Sequence, residues 1–316
     1  MHLSLRVPDD LEDEVVSLLC EDPATTNVAV APGGYTKPRG TRVDVDVARE
    51  GADRLLGRLR QLDLHHVGSI AVSEQETVFS DAAKAVEEHE PGLPEDSVVW
   101  DLLEDRVRTQ SRFSLAFVAF LTLATLIAGI GRVLDQPILI IGAMVVGPEF
   151  SPLAAISVGL ARPRLSLLPA ALASLLAGFT IALTIAVPLW FLGSQLGAFT
   201  HAAAASGDRT DFIVHPDWWS FVIALLAGVA GTLSLTTVKS SALVGVFISV
   251  TTVPAVGTIA LCLGASVWSE VLPALVQLVI NLCGIVAAGT VTLLSMKLLW
   301  RRMPVTRRAR TRRVPL

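Results

Sequence analysis

One carboxylate stands where the surrounding residues give it no solvent. Residues 136–160 read QPILIIGAMVVGPEFSPLAAISVGL, apolar for long enough to cross a bilayer, yet the middle holds Gly147, Pro148, Glu149, Ser151 and Pro152. Two prolines four residues apart each lack a backbone N–H, and each ring crowds the preceding turn, so a continuous helix is expected to break here. In hydrocarbon, backbone groups freed by a break survive only where protein or a wet cavity surrounds them. A carboxylate at such depth costs about 2.5–3.5 kcal/mol on insertion scales, which makes Glu149 a candidate site for a proton or cation. The alternative is a packing kink with Glu149 nearer the surface, since membrane helices tolerate prolines.

A second break resembles the first. GVFISVTTVPAVGTIALCL, from Gly245, has a leading glycine, small residues and a central proline, as does GAMVVGPEFSPLAAISVGL, from Gly142. Thr251 and Thr252 precede Pro254 and offer hydroxyls either to freed backbone or to a solute. Each segment is the middle one of three, and an odd number of crossings makes consecutive groups enter from opposite sides. Corresponding broken helices in two inverted halves point to a transporter's central site; coincidence within a six-helix bundle is the competing account. Gln277 and Asn281 lie on one face of the last apolar segment, as interhelical glue, for about 0.6 kcal/mol each, or as site residues. Gly228 and Gly231 suit close helix packing.

The elements that would position these residues follow from composition. The chain has 316 residues, 52% hydrophobic and 17% charged, below the ~25% charge of an average soluble protein. Its mean hydropathy is +0.59. Apolar spans are expected at about 113–131, 137–160, 165–192, 217–238, 241–265 and 271–299. With the N-terminus inside, Arg162, Arg164, Lys239 and the tail arginines from Arg301 to Arg313 fall on the cytoplasmic side. Asp208, Asp211 and Asp217 fall outside, with Arg132 and Arg209 as the basic residues there. This is the positive-inside pattern of a multi-pass protein of a bacterial inner membrane, both termini cytoplasmic. The arginine tail, residues 301–316, is read as an anchor for anionic lipids rather than a nucleic-acid site.

Residues 1–75 alternate as a small soluble domain. Leu3, Leu5 and Val7 keep a strand period, Val15, Leu18 and Leu19 a helical one, and Val43, Val45 and Val47 a strand period again. Leu55, Leu56 and Leu59 mark a second helix, and Ile70 and Val72 a last strand. The order strand, helix, strand, strand, helix, strand is the ferredoxin-like arrangement. A turn is expected at Ala31-Pro32-Gly33-Gly34, and Arg39-Gly40 belongs to the same hairpin connection. His65 and His66 are placed in a strand, pointing to opposite faces and so unfit to share a metal. Residues 76–112 read as a polar linker, broken at Pro91-Gly92-Leu93-Pro94 and followed by a helix with Val99, Trp100, Leu103 and Val107 on one stripe. That helix suits the headgroup layer, or is a solvated linker. Cys20, Cys262 and Cys283 show no metal or disulfide spacing and read as small apolar residues.

The membrane half is similar to the family known as domain of unknown function 389. The resemblance rests on IIGAMVVGPEFSPLAAI (140–156), ALLAGVAGTLSL (224–235), the Val-Pro segment around Pro254 and NLCGIVAAG (281–289), and covers about 110–300. Many members have Leu-Met where Glu149-Phe150 stand here. The family implies an architecture and carries over no catalytic residues.

The expectation is an α-helical membrane domain of six segments, 113–300, with a 3+3 inverted repeat, behind a cytoplasmic regulatory domain. It would act as an ion-coupled carrier of a small solute or ion. A membrane-anchored sensor or scaffold without transport is the alternative. No nucleophile elbow, phosphate loop or metal spacing argues for an enzyme or a cofactor. Open sheet edges and small-residue helix faces favour a homo-oligomer.

Overall fold

The computed structural model describes residues 1–73, 80–89, 98–163, 165–205, 210, 218–236 and 252–300. The chain forms two compact units, Met1–Leu103 with Leu298–Leu316, and Glu104–Lys297.

The first unit has the element order β1 (His2–Val7), α1 (Glu12–Glu21), β2 (Thr25–Thr36), β3 (Arg39–Val47), α2 (Arg49–Gln61), α3 (Leu64–Val67) and β4 (Ser69–Ser73), then α4 (Asp81–His89). The sheet runs β2-β3-β1-β4 with every neighbour antiparallel. This is the split β-α-β order expected from the periodicity. Leu3, Leu5, Val7, Val43, Val45 and Val47 point to one face and are buried against Val15, Leu19, Leu55 and Leu59 of the two helices. Alternation decides this, because a strand places every second side chain on the same face.

Two local expectations fail here. Pro32-Gly33-Gly34 is no turn: β2 continues through it to Thr36, and its pairing with β3 shifts between Ala31 and Tyr35. β2 is an edge strand, where a proline and a bulge disturb no second neighbour, and Gly33 supplies the positive φ of 64°. The reversal falls instead at Lys37-Pro38, which is cis. His65 and His66 are not in a strand but in the one-turn helix α3. Their ring centroids lie 4.0 Å apart, and with Asp63 they offer three exposed ligand atoms within 4.8 Å of one another. The opposite-face argument therefore does not apply to them.

Asp22 ties the helical layer together. Its buried carboxylate accepts from Arg54 (2.8 Å), Arg58 (3.3 Å) and the Ala24 amide (3.0 Å). Burial alone would raise its pKa; the Arg54 hydrogen bond, the Ala24 N–H and the two guanidinium charges outweigh that and hold it below 3.8. A carboxyl depressed in the folded state stabilises fully above its unfolded value and loses that contribution as pH falls through the folded one. Asp22→Asn should therefore cost about 1–3 kcal/mol at pH 7, with the deficit shrinking as pH falls through the lowered titration of Asp22. Hydrogen exchange of residues 1–73 in the full chain reads it; protection equal to wild type at pH 7 would refute the role.

Val99 and Leu102 at the start of α5 (Trp100–Gln110), with Val86 of α4, join this same apolar core. The first turn of α5 thus packs into the core of the first unit.

The second unit is helical: α6 (Leu115–Val133), α7 (Pro137–Val146), α8 (Phe150–Ala161), α9 (Leu167–Gln195), α10 (His201–Ala205), α11 (Trp218–Thr236), α12 (Val253–Gly264) and α13 (Val271–Trp300). Among the described residues α6, α9 and α11 are long and apolar enough to cross a membrane, as is Trp268–Leu299, which holds most of α13. The pair α7–α8, bent by 58°, would be a fifth. Leu115, Ile138, Leu196, Trp218 and Leu272 lie exposed on the outside, as suits helices facing lipid. Of the expected fifth segment only the twelve-residue α12 is described. Thr251, the rest of that segment from Ser241, the Pro91–Pro94 break, Arg164, Lys239, the outer-loop acids and the arginine tail lie outside the described residues.

Small residues set the spacing of the bundle. A methyl on Gly257 of α12 would meet Ala128 and the backbone of Thr125 and Gly129 on α6. One on Gly228 of α11 would meet the backbone of Ile285 on α13. Helices approach this closely only where a side chain is absent.

Candidate functional site

The break in α7–α8 is built by its sequence. Pro137 opens α7, where its missing amide has no intrahelical acceptor to lose. The Gly147 N–H closes α7 on the Ala143 carbonyl at 3.1 Å, and the backbone then extends through Gly147 (ψ 125°). Glu149 occupies the cap position of α8, with Phe150 its first residue. Pro152 therefore falls in the first turn, where an amide is unpaired in any helix. Pro254 does the same for α12. The prolines start helices rather than kink them.

The two caps meet. Neither Glu149 nor Thr252 uses its side chain on its own helix. Instead the Thr252 hydroxyl donates to Glu149 Oε1 at 2.8 Å, across 103 residues, with both side chains fully buried. The positive ends of α8 and α12 thus bracket one carboxylate, which a helix N-terminus stabilises by about 0.3–1 kcal/mol each when exposed and more when partly buried. Ala124, Ala128, Ala143 and Val253 wall the region with small apolar surface. Chemically, such a group can take a proton or a cation.

Gly147 is required by the same geometry, because a Cβ there would run into Glu149 Oε2 and Val253 Cγ2. Gly147→Ala should cost about 1–3 kcal/mol through overpacking and displace the carboxylate. A thermal melt in detergent within a few tenths of a degree of wild type would sink that claim.

The other expected residues are placed as follows. Pro148 lies in the break, and its carbonyl accepts the Ser151 N–H at 3.3 Å; Ser151 is half-buried and Pro152 buried. Asn281 is fully buried on α13, four residues after buried Gln277, whose Oε1 finds no partner among the described residues. Across the two helix starts the structure joins Glu149 to Thr252 directly.

One buried group was missed. Arg132, counted from sequence as an outer-side charge, is fully buried at the end of α6. It donates to the carbonyls of Thr210 (2.7 Å) and Ala205 (3.1 Å), and Thr210 Oγ1 donates to Asp135 at 3.1 Å. The signal available was its place, one arginine closing an apolar helix beside Asp135.

No solved structure matches this chain. An uncharacterized protein of the archaeon Methanocaldococcus jannaschii is 24% identical over 200 residues, 63% of this chain and 60% of that protein. The chain thus spans less than two thirds of that relative's length. The described family "Domain of unknown function (DUF389)" matches residues 144–287, from inside α7 to inside α13, and includes the carboxylate, its threonine and Asn281. Within the helical unit, the match to the DUF389 family thus takes in the motifs around Gly147 and Pro254.

Proposed function

We propose that the helical unit is a secondary carrier that moves a small solute or ion by binding it, or a coupled proton or cation, at Glu149. The observation that supports this reading most is the buried Thr252–Glu149 hydrogen bond between two helix starts. Broken helices whose N-termini face a shared centre are the usual construction of carrier sites, and a carboxylate within a membrane domain is expensive enough to require a use.

In this reading α6–α9 and the half containing α11–α13 are inverted copies of three crossings each. Both termini face the cytoplasm, the soluble unit regulates the carrier, and the protein works as a homo-oligomer. Thr252 and Asn281 line the path, with Thr251 beside them in the sequence.

The test is a thermal-shift screen of simple cations, anions and small metabolites, across pH, on the full-length protein in detergent. Flux in liposomes follows for whatever binds. Binding of the native state raises the melting temperature by mass action. A carrier shows both ligand stabilisation and flux that depend on residue 149. Ligand stabilisation that maps to residues 1–73 by hydrogen exchange, with no flux, would replace this reading by the sensor.

A further inference from the structure

A cavity of about 450 Å³ lies at the end of the second unit where α6 and α9 begin. Arg108, Arg112 and Ser166 line it on one side and Ala170, Ala173 and Ala177 of α9 along its length. We propose that it is a binding site for one acidic glycerophospholipid, the phosphate on the two arginines and an acyl chain along the alanine groove.

Three observations carry this. Arg108 and Arg112 are both exposed, and among the described residues neither guanidinium is paired with a carboxylate. Two adjacent guanidiniums without a counter-ion recognise a phosphate well, since each presents a planar fork of donors. Ser166, the cap residue of the 29-residue α9, does not cap it with its side chain, so its exposed hydroxyl is left for a ligand at the cavity. Ser174 lies deeper in the wall, 6% exposed, and its hydroxyl has no hydrogen-bond partner among the described residues. That hydroxyl opens on the cavity, where the ester oxygens of a lipid would accept from it.

The volume and the alanine lining select a lipid over a free phosphate. A water takes roughly 30 Å³, so a phosphate alone would leave most of the cavity empty. Positions 170, 173 and 177 share one helical face, and at 1.5 Å per residue the groove from Ser166 to Ala177 is about 16 Å long. That direction runs from the arginines along a membrane-spanning helix, as a lipid lies. The level fits too: Ser114 caps the start of α6 by accepting the Phe117 amide at 3.1 Å, so both spans begin beside the cavity. This site is distinct from the arginine tail and does not depend on transport.

Native mass spectrometry of the full-length protein, released from nanodiscs of equal phosphatidylglycerol and phosphatidylcholine, tests the proposal. One phosphatidylglycerol per protomer should survive gentle activation. Arg108→Gln with Arg112→Gln should lower its retention tenfold or more, and Ala173→Trp, which fills the groove and leaves the charges, should do the same. Both changes are on exposed positions, and an unaltered melting temperature verifies folding. Equal retention in both variants would overturn the proposal. So would competition by water-soluble glycerol 3-phosphate as strong as that of the lipid, which would mark a plain anion site. Loss on neutralising Arg307, Arg308 and Arg310, with none on changing Arg108 and Arg112, would assign the lipid to the tail instead.

Discussion

Glu149→Gln should leave the protein folded, as stable as wild type or more so, while removing its response to the ligand. The glutamine amide oxygen can still accept the Thr252 hydroxyl that now lies 2.8 Å from Oε1, so the link between the helix starts survives. What disappears is the ionisable group, whose charged form costs several kcal/mol to bury when incompletely compensated. A residue kept for function at the expense of stability shows this combination, whereas a structural carboxylate shows the reverse. At a ligand concentration of 100 Kd the wild-type protein gains about 2.7 kcal/mol, on the order of 5–10 °C in melting temperature. The variant should gain none of it, and flux should fall to the background of empty liposomes. A variant that melts well below wild type and retains its ligand shift would make Glu149 a packing residue.

Arg132→Met should have the largest effect on stability. The guanidinium is wholly buried and serves two carbonyls from beyond α9, at 2.7 and 3.1 Å. Methionine fills much of the volume but leaves both acceptors without a donor in a dry site. Hydrogen bonds to a charged group contribute about 1.5–3 kcal/mol each, so a loss of about 3–5 kcal/mol is expected. Residues 201–205 should lose hydrogen-exchange protection first, because the Ala205 carbonyl is one of the two that the arginine holds. Arg132→Lys should restore only part of this, since an ammonium on a flexible stem does not reproduce the planar fork that spans both carbonyls. If Arg132→Met melts with the wild type and α10 keeps its protection, the clamp is not structural.

The effects are separable by design. Glu149→Gln acts on ligand response with little cost to folding, and Arg132→Met on folding at a distance from the carboxylate. A double variant should add the two, as independent sites do.

Much of this architecture was determined locally by the sequence. Strand and helix periods in residues 1–73 are enough to order β1 to β4, because a one-residue slip would turn Leu3, Leu5 and Val7 outward. Apolar length located α6, α9, α11 and α13, and the proline spacing located the 58° break at Gly147–Glu149. Local chemistry misled where the neighbourhood outvoted it. Pro32-Gly33-Gly34 looks like a turn but is carried inside β2, because an edge strand has a free side on which a bulge costs little. His65 and His66 follow an α2 that ends at Gln61, and the tight turn through Asp63, at φ 56°, starts another helix rather than a strand.

Only the tertiary structure decided which distant groups share a location. Glu149 and Thr252 could each be singled out from sequence, but their hydrogen bond depends on how α7 and α12 stack on α6 and α8 on α9, with Gly147, Gly257 and the alanines between them setting the spacing. Arg132 looked like a surface charge because composition cannot say that the carbonyls of Ala205 and Thr210 will come to lie against it. Periodicity is a property of consecutive residues and survives in the bare sequence. Burial of one polar group against another depends on the packing of helices far apart in the chain, and that packing is settled only when the chain closes on itself.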